Sequence, residues 1–462
     1  MRLAVFLGLA GLLCLAPTFQ KPTPSAVAWE KPLGPGLAYR EEIDFNAHRS
    51  IYVLRVSLHS QALRVTPVLA GQKTFESESG TSREPVSKIV AEQDALAGVN
   101  GDFFSMTSGP SGDPLGLAVG EGRILSTPSK RVVFGWGPEV SGMSVATFSG
   151  VVETSSANIK IDGINRRCPQ NEVTLYTPDA GMALSEAPCV RVLLRFGNPV
   201  WTPSTVLRGR VVSATTEGAS QEIAADEAVL VARGNKMDDL SQLRPGAEVS
   251  LTLKTTGFDW AKVDSAIGGG PMLLKNGLVQ VDAEREGFGA EFSEQKHPRT
   301  AIGRTAEGDL LLVAVDGRQE TGDGMTLDEL AHLMSRLGCV DAMNLDGGGS
   351  TTMNVLGVTV NRPSDGKERP VADGVVVIGP RPSASGERLH LSAPSDLSVG
   401  TDQRAQVLSE SGTAVADIDV IWGATGSCAI DQGGNLHPLK PGPGTVTAYC
   451  HGKLLRANVT VR

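Results

Sequence analysis

The sequence contains few aromatic residues, few histidines and no closely spaced pair of cysteines. Aromatic residues make up 5% of the chain while glycine occurs 54 times, a balance that favours strands and loops over a helical bundle. The seven histidines are scattered and no C-x-x-C occurs, so nothing indicates a structural zinc site. No basic stripe occurs and the net charge is −9, which argues against binding to nucleic-acid phosphates.

Long apolar runs are also missing, except for one at the N-terminus. Residues 3–16 have the length of the hydrophobic part of a signal peptide and are too short to span a bilayer. Small residues at Ala26 and Ala28 predict a cleavage that removes residues 1–28. A lipoprotein signal ending at Cys14 is the alternative, but a bulky leucine precedes that cysteine. We therefore expect a secreted, periplasmic or cell-surface protein that is not embedded in the membrane.

The length of 462 residues exceeds one compact core, so we expect more than one domain. Residues 29–380 alternate short β-branched runs with turns and contain few helices. A proline- and serine-rich linker follows at 381–387, and residues 388–462 resemble a bacterial Ig-like β-sandwich, acting as a spacer or adhesive module. The predicted class is α+β, with a strand-rich mixed α/β catalytic domain and the C-terminal Ig-like β-sandwich.

Five cysteines lie beyond the predicted signal peptide. Cys168 with Cys189, and Cys428 with Cys450, form two pairs that are local in sequence. In an oxidising compartment these spacings predict two disulfides. Cys339 is left over at the start of an apolar strand and is interpreted as a buried, inert thiol.

The strongest local pattern lies between residues 297 and 353. A buried strand ends at Asp316, an amphipathic helix with a capping-box start follows, and a second apolar strand ends at Asp346. This order predicts a βαβ unit with parallel strands, whether or not the two strands are neighbours. Both aspartates then lie at carboxyl ends of strands, where ligands usually bind in open α/β sheets.

A glycine run follows the second aspartate. The glycines Gly347–Gly349 expose backbone N–H groups, and Ser350 and Thr351 add hydroxyl donors. Such a loop can wrap an anionic oxygen or let the face of a sugar approach closely. A nucleotide P-loop is excluded because its lysine-containing motif is missing. A similar run, Gly268–Gly270, occurs earlier in the chain.

Two further polar clusters are candidates for function. Asn100 and Asp102 follow a short strand-like run. His297 and Arg299 precede another strand, and Arg299 is the best candidate to grip a phosphate, because a guanidinium donates two parallel hydrogen bonds. Taken singly, each residue also has a structural interpretation, as a turn asparagine, a capping aspartate or a surface arginine.

Together these segments resemble the phosphodiester glycosidase family. The segments, in chain order, are Asn100–Phe104, Gly268–Pro271, His297–Gly303, Val315–Arg318 and Asn344–Thr351. The resemblance covers about residues 39–379, and Asp102 departs from the family's pattern of a small residue at that position.

The resemblance implies a hydrolase that cleaves an α-linked N-acetylglucosamine-1-phosphodiester into sugar and phosphomonoester. Such a reaction needs a carboxylate near the anomeric carbon and a cradle for the phosphate. Asp316 and Asp346 are predicted as the catalytic carboxylate pair, with Asp102 as a further catalytic candidate. Asn100 is predicted to bind sugar hydroxyls or the acetamido group, and the other predicted substrate-binding residues are Gly269, Gly270, His297, Arg299, Gly347, Gly348, Gly349, Ser350 and Thr351.

Two rival functions remain open from the sequence. One is a metal-dependent phosphodiesterase in which Asp102, Asp316 and Asp346 bind Mg²⁺ or Ca²⁺. The glycosidase itself needs no cofactor, although a single divalent cation is an open alternative. The other is a non-catalytic binder of cell-wall or capsular glycans. The sequence does not select among teichoic acids, capsules and phosphorylated exopolysaccharides as substrate, and it leaves the oligomeric state open.

Overall fold

The computed structural model describes residues 26–76, 82–106, 112–216 and 220–462, and strands dominate them. The strands of the first half are β1 (Ala26–Gly34), β2 (Leu37–Asp44), β3 (Arg49–Val56), β4 (Arg64–Leu69), β5 (Ala97–Asn100), β6 (Ala118–Gly120), β7 (Arg123–Ser126), β8 (Val132–Trp136), β9 (Ser141–Val145), β10 (Phe148–Glu153), β11 (Asn158–Ile161), β12 (Gly163–Ile164), β13 (Val173–Tyr176), β14 (Met182–Ala183), β15 (Cys189–Phe196), β16 (Ser204–Thr215), β17 (Gln221–Glu222), β18 (Glu227–Arg233) and β19 (Glu248–Thr255).

The strands of the second half are β20 (Ser265–Gly268), β21 (Met272–Lys275), β22 (Leu278–Val279), β23 (Arg299–Thr305), β24 (Leu310–Val315), β25 (Cys339–Asn344), β26 (Met353–Val355), β27 (Val358–Thr359), β28 (Asp373–Ile378), β29 (Leu389–Ser392), β30 (Asp396–Leu397), β31 (Gln403–Arg404), β32 (Gln406–Ser409), β33 (Val420–Gly426), β34 (Cys428–Ile430), β35 (Asn435–Pro438), β36 (Gly442–Cys450) and β37 (Lys453–Val461). The α-helices are α1 (Val86–Glu92), α2 (Lys236–Leu240), α3 (Ala290–Glu294) and α4 (Leu327–Arg336).

An eight-stranded antiparallel sheet forms the centre of the molecule, in the order β1-β2-β3-β24-β23-β25-β21-β22. Every residue of β24 is buried, because this strand lies in the middle of the sheet with both faces covered. A five-stranded sheet, β27-β26-β5-β28-β4, packs against it. Apolar side chains of both sheets, including Leu54, Met343 and Val375, form one core.

The two strands of the predicted βαβ unit run parallel as expected, but they do not pair with each other. Strand β23 is antiparallel to both β24 and β25, so these two strands run parallel to each other as predicted. They are not neighbours, because β23 forms a hairpin with β24 and occupies the place between them. Helix α4 connects the two strands and starts with the predicted capping box, in which Thr326 and Glu329 exchange hydrogen bonds.

Three further sheets complete the region before residue 380. An eight-stranded sheet, β11-β10-β19-β16-β15-β18-β13-β12, builds a second core around residues such as Val192, Leu230 and Leu251. A five-stranded sheet, β7-β6-β20-β8-β9, lies between the two cores and contributes Phe134 to one and Val133 to the other. Strands β14 and β17 form a short two-stranded sheet.

The tail that follows residues 381–387 is made of strands. Four of them form the sheet β30-β37-β36-β33, three form β31-β35-β34, and two form β29-β32. Trp422 and Val446 belong to a core that these sheets share. The segment 381–387 forms no helix or strand, as a linker would. The domain limits at 29–380, 381–387 and 388–462 and the Ig-like class of the tail stay predictions.

The tail is joined to the rest of the chain by a buried lysine. Lys31 of β1 is 1% exposed, and its Nζ donates hydrogen bonds to the carbonyl oxygens of Asp417 (2.8 Å), Gln432 (2.8 Å) and Val420. The buried Glu41 accepts a hydrogen bond from the Gln432 backbone N–H at 2.7 Å. A buried charged residue with three backbone partners holds the tail in one orientation.

Both predicted disulfides are wrong, since the five described cysteines are free thiols. Cys428 Sγ lies beside Gly444 of β36, and Cys450 ends the same strand six residues further on. That separation is about 20 Å at roughly 3.3 Å per residue, far beyond disulfide range. Cys168 instead donates to carbonyl oxygens, and Cys189 contacts the Ser185 hydroxyl at 3.8 Å. Cys339 is buried as predicted.

The predicted signal peptide lies almost wholly outside the described residues. Only its last three residues are described, and they begin β1, where they pair with β2. In the described part of the chain, no helix has the length and apolar character needed to cross a bilayer.

Candidate active site

One edge of the central sheet gathers the predicted site residues. Asp316 and Asp346 follow the carboxyl ends of β24 and β25, and Arg299 begins the antiparallel β23 at the same edge. The five-stranded sheet brings Asn100 and Asp373 to this edge, because the end of β5 lies beside the start of β28. Loops from two sheets therefore meet where the sequence predicts the site.

Asp346 is the partly exposed carboxylate at this edge. Its Oδ1 accepts a hydrogen bond from the Gly347 N–H at 2.9 Å, and its backbone N–H donates to the Gly101 carbonyl at 3.1 Å. Burial raises the pKa of Asp346 to about 6, against the opposing effects of the Ser350 hydroxyl, the Gly347 N–H and the nearby Arg369 charge. The side chain is therefore mostly ionised at neutral pH.

Two more carboxyl groups lie behind Asp346. Asp373, which the sequence did not indicate, accepts a hydrogen bond from the Asp102 backbone N–H at 2.9 Å. Asp102 and Asp373 are 2% and 0% exposed. Burial raises the pKa of Asp102 to about 7 and that of Asp373 well above its ordinary value, with a further rise from the charge of Asp346 on both.

Asp316 is fully enclosed. Its oxygens accept hydrogen bonds from the Arg362 backbone N–H (3.0 Å), the Tyr52 hydroxyl (3.0 Å) and the Asn361 amide (3.2 Å). Burial raises the pKa of Asp316 to about 6. Asn361 also donates to the Thr351 carbonyl at 3.0 Å. Asp316 thus supports the glycine loop through Asn361, an arrangement that differs from the predicted contact with substrate.

Arg299 is placed differently from its prediction as a phosphate ligand. The residue is 1% exposed, and its Nε donates to the Met325 carbonyl at 2.8 Å. Its Nη2 donates to the carbonyls of Phe292 at 2.7 Å and Gln295 at 3.1 Å. Burial, and secondarily the charge of Arg318, lowers the pKa of Arg299 to about 10. The guanidinium links β23 to α3 through these hydrogen bonds. Its Nε and Nη2 donors are therefore taken up by backbone carbonyls, where the prediction assigned them to a phosphate.

Two other arginines flank the glycine loop and were not among the predicted site residues. Arg318 is exposed and lies over Gly348, where a Cβ would come within 3.3 Å of Nη1. Its Nη2 is 3.0 Å from Nδ1 of His297. Burial and the charge of Arg318 lower the pKa of His297, so the imidazole is neutral and accepts this hydrogen bond. His297 therefore orients an arginine, where the prediction gave it a substrate contact.

Arg369 is the second of these arginines and fixes the identity of Gly349. A Cβ at Gly349 would lie 2.0 Å from Arg369 Nη2 and 2.5 Å from Asp365 Oδ1. Arg369 Nη2 is in turn paired with Asp365 Oδ2 at 2.8 Å. Only glycine leaves room for this ion pair against the loop. Gly348 has a φ of 60°, a conformation that glycine adopts without strain.

The Asn100 side chain is hydrogen-bonded to the backbone at both ends of the glycine loop. Its Oδ1 accepts hydrogen bonds from the Thr300 hydroxyl at 2.8 Å and the Thr352 N–H at 3.1 Å, and its Nδ2 donates to the Asp346 carbonyl at 2.7 Å. The side chain is 0% exposed, so it positions Asp346 rather than facing a sugar. Thr351 is also buried, with its hydroxyl 3.4 Å from that of Thr300.

The other predicted binding residues line the base of the site. The Gly270 N–H donates to the Asn344 carbonyl at 2.7 Å, and the Asn344 amide donates to the Gly270 carbonyl at 2.8 Å. Gly269 packs against Asn344 in the same way, and Ser350 is fully buried under the loop. These residues hold the strand that ends at Asp346.

The structure does not gather the three aspartates of the rival metal site into one set of ligands. Among the described residues, no three His, Cys, Asp or Glu side chains are placed to hold a metal ion together. Asp316 faces Tyr52 and Arg362, whereas Asp102 and Asp346 lie with Asp373.

Comparison with known proteins finds a family model that is similar to the part of the chain that forms this edge. The family model "Phosphodiester glycosidase" matches residues 202–378, which include Arg318, Asp346, Arg369 and Asp373. The SPbeta prophage-derived uncharacterized protein YomE of Bacillus subtilis is 33% identical over 118 residues, which cover 26% of this chain and 18% of the relative. Mouse N-acetylglucosamine-1-phosphodiester alpha-N-acetylglucosaminidase is 33% identical over 102 residues, 20% of each chain. The matched part thus spans about a fifth of these relatives.

A solved structure shares the fold. A hypothetical protein from Synechocystis superposes with a TM-score of 0.61 at 21% identity, covering 75% of this chain and 62% of that one. The likeness extends beyond the residues that the family model matches.

Proposed function

We propose that this chain is a phosphodiester glycosidase, as the family model matched over residues 202–378 indicates, and that it hydrolyses the bond between the anomeric carbon of N-acetylglucosamine and a phosphodiester. The observation that carries this proposal is the placement of Asp346. It is the partly exposed carboxylate of the site, it is mostly ionised at neutral pH, and Arg318 and Arg369 pack against the loop that follows it.

In the proposed reaction Asp346 acts on the anomeric carbon, either directly or through a water that it activates. The bond between that carbon and the phosphate oxygen breaks, and the electron pair stays on the phosphate. The sugar gains the oxygen of water, and the other product is a phosphomonoester. Arg318 stabilises the charge on the departing phosphate, and Arg369 holds the glycine loop against it.

The buried carboxyl groups help to position Asp346. Asp102 and Asp373 lie behind Asp346, and the charge of Asp346 adds to burial in raising the pKa of both. Asp102 and Asp316 are positioning residues in this scheme, since neither reaches the surface of the site.

The remaining assignments are proposals about the whole protein. We propose that residues 1–28 direct export, that residues 29–380 form the catalytic domain, and that residues 388–462 are an Ig-like module on an α+β enzyme. The substrate would be a phosphate-linked glycopolymer of a cell wall or exopolysaccharide. The sheets of the tail, with their shared core around Trp422, support a separate module.

Hydrolysis of a synthetic α-N-acetylglucosamine-1-phosphodiester, with and without EDTA, tests the function. The expected products are N-acetylglucosamine and a phosphomonoester, at a rate that EDTA leaves unchanged. Asp346→Asn should slow the reaction about 10²–10⁴-fold, because the carboxylate acts in the transition state. Asp259→Asn, which alters an exposed aspartate outside the site, is the matched control. Release of N-acetylglucosamine-1-phosphate, or full activity in Asp346→Asn, would reject the proposal.

A further inference from the structure

A cleft of about 770 Å³ opens between the catalytic region and the tail, next to the proposed active site. Its catalytic-region wall is formed by Arg318–Glu320, Arg362–Ser364 and Gly366–Glu368. Its opposite wall is formed by Ala424–Ser427 and Lys440 of the tail. The cleft is therefore a surface that the two parts of the chain build together.

The cleft is basic although the whole chain is acidic. Four cationic side chains line it, and two glutamates oppose them. The Glu368 carboxylate accepts hydrogen bonds from two neutral donors, the Ser87 N–H at 2.9 Å and the Thr359 hydroxyl at 2.5 Å, and keeps its charge. Lys367 is exposed and has no ion pair among the described residues. The four cations outnumber the two glutamates, so the lining of the cleft carries a net positive charge in a chain of net charge −9.

The cleft continues into the glycine loop at two points. Arg318 lines the cleft and also lies over Gly348. The segment from Arg362 to Arg369 begins in the cleft and ends beside Gly349. A molecule with its reacting phosphate at the loop would therefore extend its next unit into the cleft.

The tail wall is held in place by polar contacts. The Arg362 guanidinium donates hydrogen bonds to the carbonyls of Cys428 and Gly426, the latter at 3.4 Å. Lys440 Nζ lies 3.1 Å from Glu320 Oε1 across the cleft. The buried Ser364 hydroxyl has no hydrogen-bond partner within the described residues.

We propose that this cleft binds the part of the substrate beyond the scissile phosphate, and that this part is a glycan or polyol chain carrying further phosphate groups. The proposal rests on the function proposed above. Arg318, Lys367 and Lys440 supply the cations that recognise a second phosphate, and the tail acts as a specificity element through Lys440. Repeated phosphates suit several cations along a cleft better than a single neutral alcohol would.

The first test measures binding by calorimetry with a synthetic glycerol-phosphate trimer, which contains no sugar to hydrolyse. The double variant Lys367→Ala/Lys440→Ala should bind the trimer about tenfold more weakly than the unmodified protein, since each loses a charge-assisted contact. Lys453→Ala, on strand β37 of the same tail and outside the cleft, should bind normally. Rising salt should weaken binding to the unmodified protein.

The second test compares two substrates. Both are phosphodiesters of N-acetylglucosamine-1-phosphate. In the methyl substrate the phosphate is esterified with methanol, and in the trimer substrate it is esterified with the glycerol-phosphate trimer. In the double variant KM for the trimer substrate should rise about tenfold while kcat for that substrate stays the same. Both KM and kcat for the methyl substrate should stay unchanged. Equal effects on both substrates, or undiminished trimer binding by the double variant, would overturn the cleft proposal. Lysine-dependent trimer binding without hydrolysis of either substrate would reject only the proposed reaction.

Discussion

Asp346 derives its proposed reactivity from its surroundings. The same aspartate in water would have an ordinary pKa near 4. Here burial raises it, while the Ser350 hydroxyl, the Gly347 N–H and the charge of Arg369 limit the rise to about 6. A carboxylate that is poorly hydrated yet still ionised at neutral pH is more reactive towards a developing positive charge than an exposed one.

The pKa of Asp346 predicts the acid limb of the pH profile. If the ionised form acts, kcat should fall as pH drops through about 6, by about tenfold per pH unit below that value. Steady-state kinetics of the methyl substrate from pH 4.5 to 8 would show it. A rate that rises towards acid pH would mean that the protonated form acts, and Asp346 would then be the acid.

The sequence could predict only those site residues that lie next to one another in the chain and follow a recognisable strand. Asp346 and Gly347–Gly349 are contiguous and follow a recognisable strand, so the pattern locates them. Arg369 and Asp373 have no local motif and reach the site only through the strand order. Arg299 was assigned to phosphate because its type suits that role, yet the carbonyls that occupy it cannot be seen in a sequence.

At the scale of elements, the glycine loop is held from several sides. Asn361 and Asn100 bind its backbone from below, and the Arg369–Asp365 pair packs against its outer face. The loop connects the central sheet to β26 of the five-stranded sheet, so its geometry depends on the packing of both sheets.

Gly349→Ala should therefore damage the site more than the fold. The added methyl would meet Arg369 Nη2 at 2.0 Å and displace the ion pair that braces the loop. We expect kcat to fall at least about tenfold, with a loss of unfolding free energy of about 1–3 kcal/mol from overpacking. Kinetics together with urea unfolding would measure both effects.

The control for this variant is Gly142→Ala on strand β9. A Cβ there meets nothing within 4 Å, so rate and stability should stay close to those of the unmodified protein. If Gly349→Ala behaved like Gly142→Ala, the bracing role of Arg369 would be refuted.

The elements themselves were predictable to the extent that they are local. The capping box of α4 and the apolar run of β24 specify their own structure. The insertion of β23 between β24 and β25 is a pairing choice between distant segments, and no local signal encodes it. For the same reason the spacing of Cys428 and Cys450 suggested a disulfide that the length of β36 prevents.

On the scale of the whole molecule, the tail and the catalytic region are joined through buried ionisable groups. Burial raises the pKa of Glu41 to about 8 and lowers that of Lys31 to about 8. These residues meet the tail at the backbone of Gln432, so the state of the junction depends on pH.

Glu41→Gln should change how stability depends on pH. Glu41 has a folded pKa above its unfolded value of 4.5, so its contribution is complete below about pH 4.5 and is lost as pH rises towards 8. The variant should match the unmodified protein near pH 5 and exceed it near pH 8, by on the order of a few kcal/mol. Urea unfolding at pH 5, 6.5 and 8 would measure this difference.

Lys31 affects the stability of the folded chain at higher pH than Glu41 does. Its folded pKa lies below its unfolded value of 10.5, so the unfolded chain binds more protons between about pH 8 and 10.5, and this lysine makes stability rise with pH in that range.

Equal pH dependence of the Glu41→Gln variant and the unmodified protein would show that Glu41 is not buried at the junction.

The central claim, that the bond to the anomeric carbon breaks, is tested most directly by hydrolysis in water enriched in oxygen-18. Mass spectrometry of both products from the methyl substrate locates the bond that water enters. Attack at the anomeric carbon predicts one heavy oxygen in N-acetylglucosamine and none in the phosphomonoester. Heavy oxygen in a phosphate product would mean cleavage at phosphorus and would contradict the assignment of Asp346 as the group that acts on the sugar.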